Sequence, residues 1–354
     1  MDTMTSRLFP LPPQPREIAF PTERWPEAQP DAATNRDQVE KICAELFEHP
    51  ASDTTGETHA LVVIHRGQLV VERYARETDA SSTLISWSMA KSITHALVGI
   101  LVREGRLDIH QPGLVPRWNQ PGDARAALTL DHMLRMVDGL DFVEDYVDSR
   151  QSDVIEMLFG SGKDDVAGYT EARPLKCPPG TRWNYSSGTS NVVTAILGRT
   201  VGGGETAMLE FMHEELFDRI GMRSPTVRFD AAGTFIGSSF VFATARDFAR
   251  FGLLYLRDGC WDGDRILPEG WVDYARTATK VSGREYGAHW WLSLDGSAVF
   301  HCSGYRGQFI ALDPERDLIV VRLGGSTSDQ RGAVYLQLRD LIQCFPKRDT
   351  APAG

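Results

Sequence analysis

From Ser88 to Val102 the chain reads SMAKSITHALVGILV, with apolar residues on nearly every side of a helix. Met89, Ile93, Ala96, Leu97 and Ile100 recur at helical spacing, and Val98 and Leu101 widen the apolar surface beyond one stripe. Such a helix must be covered on most sides, so the fold needs layers of other elements around it. A chain of 354 residues can supply them, around one large core or two modest ones. The helix opens on a polar pair that apolar packing does not explain. Ser88 and Lys91 are three apart and share a face.

The remaining pattern is strands, helices, then strands. Residues 1–30 are Pro-rich and of mixed charge, and are predicted to form an extended N-terminal arm. A helix is expected over Gln38 to Phe47, then strands over His59 to His65 and Gln68 to Tyr74, joined by a tight hairpin at Arg66-Gly67. Further helices are expected at Ser190 to Val201 and Ala245 to Arg257. Three short strands follow at Ala298 to Cys302, Gln308 to Asp313 and Leu318 to Leu323, and a helix at Gln330 to Gln343 closes the chain. Their linkers are too short for parallel crossovers, so the late strands should form an antiparallel meander. The pattern predicts an α+β fold in which early and late strands share one sheet. Residues 31–108 plus 282–354 would form the sheet domain, and 109–281 a mostly helical lobe carrying the active-site loops.

The net charge of −11 argues against a nucleic-acid partner, because phosphate-backbone binding depends on Lys and Arg. No apolar run approaches the roughly 18 residues of a membrane span, and the N-terminus lacks an apolar signal core, so a cytoplasmic protein without a membrane partner is expected. Cys43, Cys177, Cys260, Cys302 and Cys344 are scattered, matching neither a disulfide framework nor a zinc pattern, and are expected as reduced thiols. His213-Glu214-Glu215 lacks the second histidine of a zinc-protease helix, and the G-x-S-x-G elbow of α/β-hydrolases does not occur.

Ser88 and Lys91 can do chemistry together. Desolvation inside an apolar helix disfavours the lysine's charged form, and the resulting amine can accept the serine proton. The helix N-terminus offers free N–H groups to a developing oxyanion. Tyr185, in PPGTRWNYSSGTSN, lies on a loop between a Pro-Gly turn and a helix. A phenol beside an ammonium can be drawn towards phenolate and relay protons. The third constellation, HCSGYRGQ from His301 to Gln308, ends one strand and begins the next. Small residues at Ser303 and Gly304 would let a substrate lie against the strand edge, with the N–H of Tyr305 as a second oxyanion donor.

In this order the three constellations resemble the serine β-lactamase and penicillin-binding-protein superfamily, over roughly Thr58 to Leu341. The strings LTLDHMLRMVDGLDF, PPGTRWNYSSG and YGAHWWL resemble its class C-like branch, which includes carboxylesterases and 6-aminohexanoate-dimer hydrolases. The resemblance implies a β-lactamase/transpeptidase-like fold and an acyl-enzyme hydrolase needing no metal or organic cofactor. It implies Ser88 as nucleophile, Lys91 and Tyr185 as its proton-handling partners, and the N–H groups of Ser88 and Tyr305 as the oxyanion hole. Ser187 would bind substrate or steer Lys91, Ser303 and Gly304 would border the substrate, and Tyr146 resembles the tyrosine that closes over substrate in 6-aminohexanoate-dimer hydrolases.

Two departures narrow the reading. The second motif ends in Ser187 rather than Asn, as in amide- and ester-cleaving members. The third reads Cys302-Ser303-Gly304, without the lysine that helps hold the carboxylate of penicillins and D-Ala-D-Ala peptides. His301 is expected to point to the other sheet face. The expected partner is therefore a small-molecule ester or amide. The alternatives are a β-lactamase or D-alanyl peptidase, an acyltransferase using the same residues, and a catalytically silent binding module. Trp87, Trp183, Trp290 and Trp291 are candidates for cleft walls or core. Asp141, Glu144, Asp145 and Asp148 read as a solvated acidic loop, the alternative being a cluster that favours a cationic substrate end.

Overall fold

A computed structural model describes residues 8–48, 52–146, 151–283, 285–293 and 297–349. The chain begins with α1 (Arg36–Leu46), β1 (Glu57–His65), β2 (Gln68–Tyr74), β3 (Leu84–Ile85) and α2 (Ala90–Arg103). Short helices α3 (Leu130–Leu134), α4 (Asp153–Phe159) and α5 (Val166–Glu171) lead to α6 (Ser187–Val201) and α7 (Gly204–Met212). Then come β4 (Thr226–Val227), β5 (Val241–Ala243), α8 (Ala245–Leu256), β6 (Cys260–Trp261), β7 (Asp264–Arg265) and α9 (Trp271–Arg276). The end is β8 (Trp291–Leu292), β9 (Phe300–Gly304), β10 (Gln308–Asp313), β11 (Leu318–Gly325) and α10 (Arg331–Gln343).

The main sheet runs β2-β1-β11-β10-β9-β8, antiparallel throughout. Period-2 alternation decides which way each strand faces. Val62, Val321, Ile310 and Cys302 pair across neighbouring strands and share one core with α2 and α8. Leu61, Val63, Phe309, Ala311 and Val320 point the other way, into a second core closed by α1 and α10. The α+β expectation and the sharing of one sheet by early and late strands agree with this architecture. At the β1–β2 hairpin, Arg66 and Gly67 both take positive φ, 52° and 77°, as an I′-type turn requires.

The arm and α8 show where pattern reading stops. α8 lies within the stretch read as the helical lobe, yet Phe248, Ala249, Phe251 and Leu253 join the core on the sheet. Residues 8–30 run along this helix, with no helix or strand of their own beyond one parallel bridge from Glu27 to Leu69. Arg257 is the clasp. It pairs with buried Asp317 at 2.6 Å and donates to Pro12 O and Gln14 Oε1 of the arm. None of the five cysteines is in a disulfide. No helix among the described residues is long and apolar enough to cross a membrane.

Candidate active site

Ser88 sits in a 3-10 turn, Trp87–Met89, that runs straight into α2, rather than in the first turn of the α-helix itself. The turn is anchored from behind. β3 pairs with β5, the Ser86 N–H donates to Val241 O at 2.8 Å, and Val241 N–H donates to Ser86 Oγ. Trp87 is held at φ 44°, a left-handed conformation costing about 1–3 kcal/mol that the surrounding pairing must over-determine. β9 comes up against this turn. A Cβ on Gly304 would lie 2.3 Å from Ser86 O, so glycine is required for the backbone approach itself. That is a different reason from the substrate clearance expected from the sequence, although Gly304 also borders the cleft.

Lys91 is wholly buried on α2. Its Nζ lies 3.1 Å from Ser88 Oγ, 2.9 Å from Ser187 Oγ and 3.0 Å from Ser238 O. Burial pulls its ammonium down to about 8, with the Glu144 carboxylate pulling the other way. Ser187 opens α6, whose N-cap is Ser186, and Ser187 Oγ in turn donates to Glu144 at 2.5 Å. Glu144 also accepts the Ser187 N–H at 2.7 Å and the Tyr146 hydroxyl. The acidic loop is therefore not uniformly solvated. Glu144 is tied into the site, Asp141 is an exposed partner of Lys176, and Asp148 lies outside the described residues.

Tyr185 stands over Lys91, with Nζ 4.8 Å from its ring centroid. Its ring packs against Trp183, Tyr286 and Trp291. Two influences act on its phenol in opposite directions: the neighbouring ammonium draws it towards phenolate, and burial favours the neutral form. Burial raises the Tyr185 phenol well above its usual range, Glu144 adds to this, and a hydrogen bond with Ser88 offsets it only in part.

Ser88, Glu144, Tyr146, Tyr185, Trp291, Ser303, Gly304 and Tyr305 border one cleft of about 550 Å³. The Tyr146 and Tyr305 rings stack at 4.9 Å. Trp87 and Trp291 reach ligand-accessible space, whereas Trp290 is fully buried in the core beside Tyr255. His301 faces the sheet's other side, against Phe309 and Tyr335, and burial lowers its pKa to about 4. A separate cavity of about 370 Å³ opens there under α10, away from Ser88.

Arg331, the first residue of α10, had no sequence motif to announce it. Its Nη2 donates to Ser303 Oγ at 3.1 Å, and its Nε is buried without a hydrogen-bond partner among the described residues. It places a cation on the cleft wall while the strand position expected to carry lysine holds the buried thiol of Cys302.

Comparisons with known proteins bear on the fold and the family. Residues 43–341 match the family model described as Beta-lactamase. A 6-aminohexanoate-dimer hydrolase of Paenarthrobacter ureafaciens is 27% identical over 286 residues, covering 75% of this chain and 72% of the relative. Among solved structures, a protein provisionally assigned as a 6-aminohexanoate-dimer hydrolase of Bacillus anthracis superposes with TM-score 0.72 at 21% identity, over 96% of this chain and 92% of that one. A penicillin-binding-protein homologue of Caulobacter crescentus gives 0.67 at 16%, over 90% and 99%. With the sheet, the inserted helices and a family match spanning most of the sequence in agreement, the chain belongs to the beta-lactamase family of hydrolases.

Proposed function

We propose that the protein is a serine hydrolase cleaving a small-molecule ester or amide through an acyl-enzyme on Ser88. The observation that carries this reading is the Lys91 amine 3.1 Å from Ser88 Oγ, fully buried and with its pKa lowered to about 8. At neutral pH part of the enzyme then holds a neutral amine beside the nucleophile, which a solvated lysine does not provide. Ser88 attacks the carbonyl and Lys91 takes its proton. The N–H groups of Ser88 and Tyr305 receive the oxyanion. Tyr185 gives its proton to the departing alcohol or amine and is reprotonated from Lys91, and water deacylates by the reverse route. Ser187 and Glu144 fix Lys91 and lend it charge from behind. The likeness to a 6-aminohexanoate-dimer hydrolase supports an amide as readily as an ester.

The purified protein is expected to release p-nitrophenolate from a p-nitrophenyl acyl ester and to be silenced by a fluorophosphonate. Inertness towards esters, amides and the fluorophosphonate alike would sink the reading.

Arg331 gives the leaving-group side a preference. Its guanidinium, bonded to Ser303 Oγ and with Nε left without a partner among the described residues, favours a leaving group bearing a carboxylate or similar anion, in a place where Cys302 offers no charge. Arg331→Gln is expected to lower the ratio of kcat/KM for an anionic over a neutral leaving group by about ten- to a hundredfold, the worth of a charge-assisted hydrogen bond. An unchanged ratio would remove Arg331 from substrate recognition.

A further inference from the structure

We propose that the acyl half of the substrate is an uncharged, apolar group held in a recess beside Ser88 that is distinct from the cationic cleft. The proposal rests on the roles of Ser88 and Tyr185 set out above. The recess measures about 230 Å³ and is lined by Trp87, Val154, Ile155, Leu158 and Phe159, with Ser88, Tyr146 and Tyr305 also bordering it. None of its lining residues is charged, whereas Glu144, Lys176, Arg182 and Arg331 all border the neighbouring cleft.

Tyr185 decides which half of the substrate goes where. It borders the cleft and not the recess, so the leaving group that takes its proton lies in the cleft. The acyl group on the other side of the same carbonyl is left to the recess. Three further features fit an acyl site. The recess belongs to a small apolar cluster around α4, separate from the two cores that flank the sheet, so its surface is not needed to hold the sheet together. Phe159 is 59% exposed at its edge, an aromatic ring kept in water beside a cavity. Trp87, the strained residue next to the nucleophile, forms another wall, so the strain also places a recess side chain.

At a water's share of about 30 Å³, the recess has room for roughly seven water-sized groups. Burying each methylene there is worth about fourfold in kcat/KM. A p-nitrophenyl ester series from acetyl to decanoyl is therefore expected to climb about fourfold per carbon up to about octanoyl and then level off. A 6-aminohexanoyl ester, which would bring an unpartnered ammonium into the recess, is expected to fall about tenfold or more below hexanoyl. Phe159→Ala is expected to lower the hexanoyl-to-acetyl ratio about three- to tenfold, a within-variant comparison that a loss of folded protein does not alter. Hydrolysis without dependence on chain length, or faster cleavage of the 6-aminohexanoyl ester, would overturn the acyl assignment and leave the Ser88 mechanism standing. Cleavage of no ester at all would overturn both.

Discussion

Ser88→Ala is expected to lower kcat/KM for any ester or amide substrate by about 10⁴-fold or more, with the thermal melting temperature nearly unchanged. In the proposed mechanism the loss is large because the hydroxyl is the bond-forming group, and the serines beside Lys91 and in the Ser88 turn are engaged elsewhere. Ser187 Oγ is engaged with Glu144 and Lys91, and Ser86 Oγ with backbone carbonyls and the Val241 N–H. The stability effect is small because Ser88 is only half-buried and Lys91 keeps Ser187 and Ser238 as acceptors. Steady-state kinetics paired with a melting curve check this. Retention of more than about a hundredth of wild-type activity would point to another nucleophile.

The second large effect is at Lys91. Lys91→Met keeps the apolar bulk of the side chain but removes the proton acceptor, and kcat/KM is expected to fall about 10²- to 10⁴-fold. The wild-type pH profile identifies the group. The amine must be neutral to accept a proton, and its folded pKa is lowered to about 8. kcat/KM should therefore rise nearly tenfold per pH unit at low pH and level off above about 8. The same shift has a stability sign. Between the folded value of about 8 and the ordinary lysine value of 10.5, the unfolded chain binds more protons than the folded one, so this group's contribution to stability rises with pH across that window. In Lys91→Met both the kinetic limb and this contribution should vanish. A limb centred on the same pH in the variant would assign it to another residue.

Much of the architecture was legible because it follows from short-range periodicity. The apolar surface of α2, the Arg66-Gly67 turn and the alternation in the late strands each settle a local structure without reference to distant residues. The proximity of Ser88 to Lys91 is legible for the same reason, since three-residue spacing on a helix is geometry. What was not legible depends on chain segments meeting. Glu144 looks like any acid in an acidic loop, and only the approach of α6 makes it a partner of Ser187, 43 residues later. The upward push on the Tyr185 phenol was not legible, because the sequence exposes its lysine neighbour but not its burial or Glu144. Arg331 is a lone arginine at a helix start, brought to Ser303 by the closing helix. α8 is amphipathic by pattern, but amphipathicity does not say whether its partner is the lobe or the sheet.

Glu144, Tyr146 and Ser187 also form a chain of hydrogen bonds behind the Lys91 amine, tying the loop before α4 to the start of α6. The loop thus carries both a neighbour of the amine and, through Tyr146, a ring stacked on the β9–β10 turn at Tyr305. In the proposed mechanism, substrate recognition and nucleophile activation would share this segment.

The central claim is that Ser88 forms the covalent bond. Incubating the native protein with a fluorophosphonate, digesting it and locating the adduct by fragmentation tests that claim without a known substrate. A single stoichiometric adduct on Ser88, forming with the same pH dependence as ester turnover, is the expected result; an adduct on any other side chain, or unmodified Ser88 in a protein whose ester hydrolysis has been abolished, would contradict it.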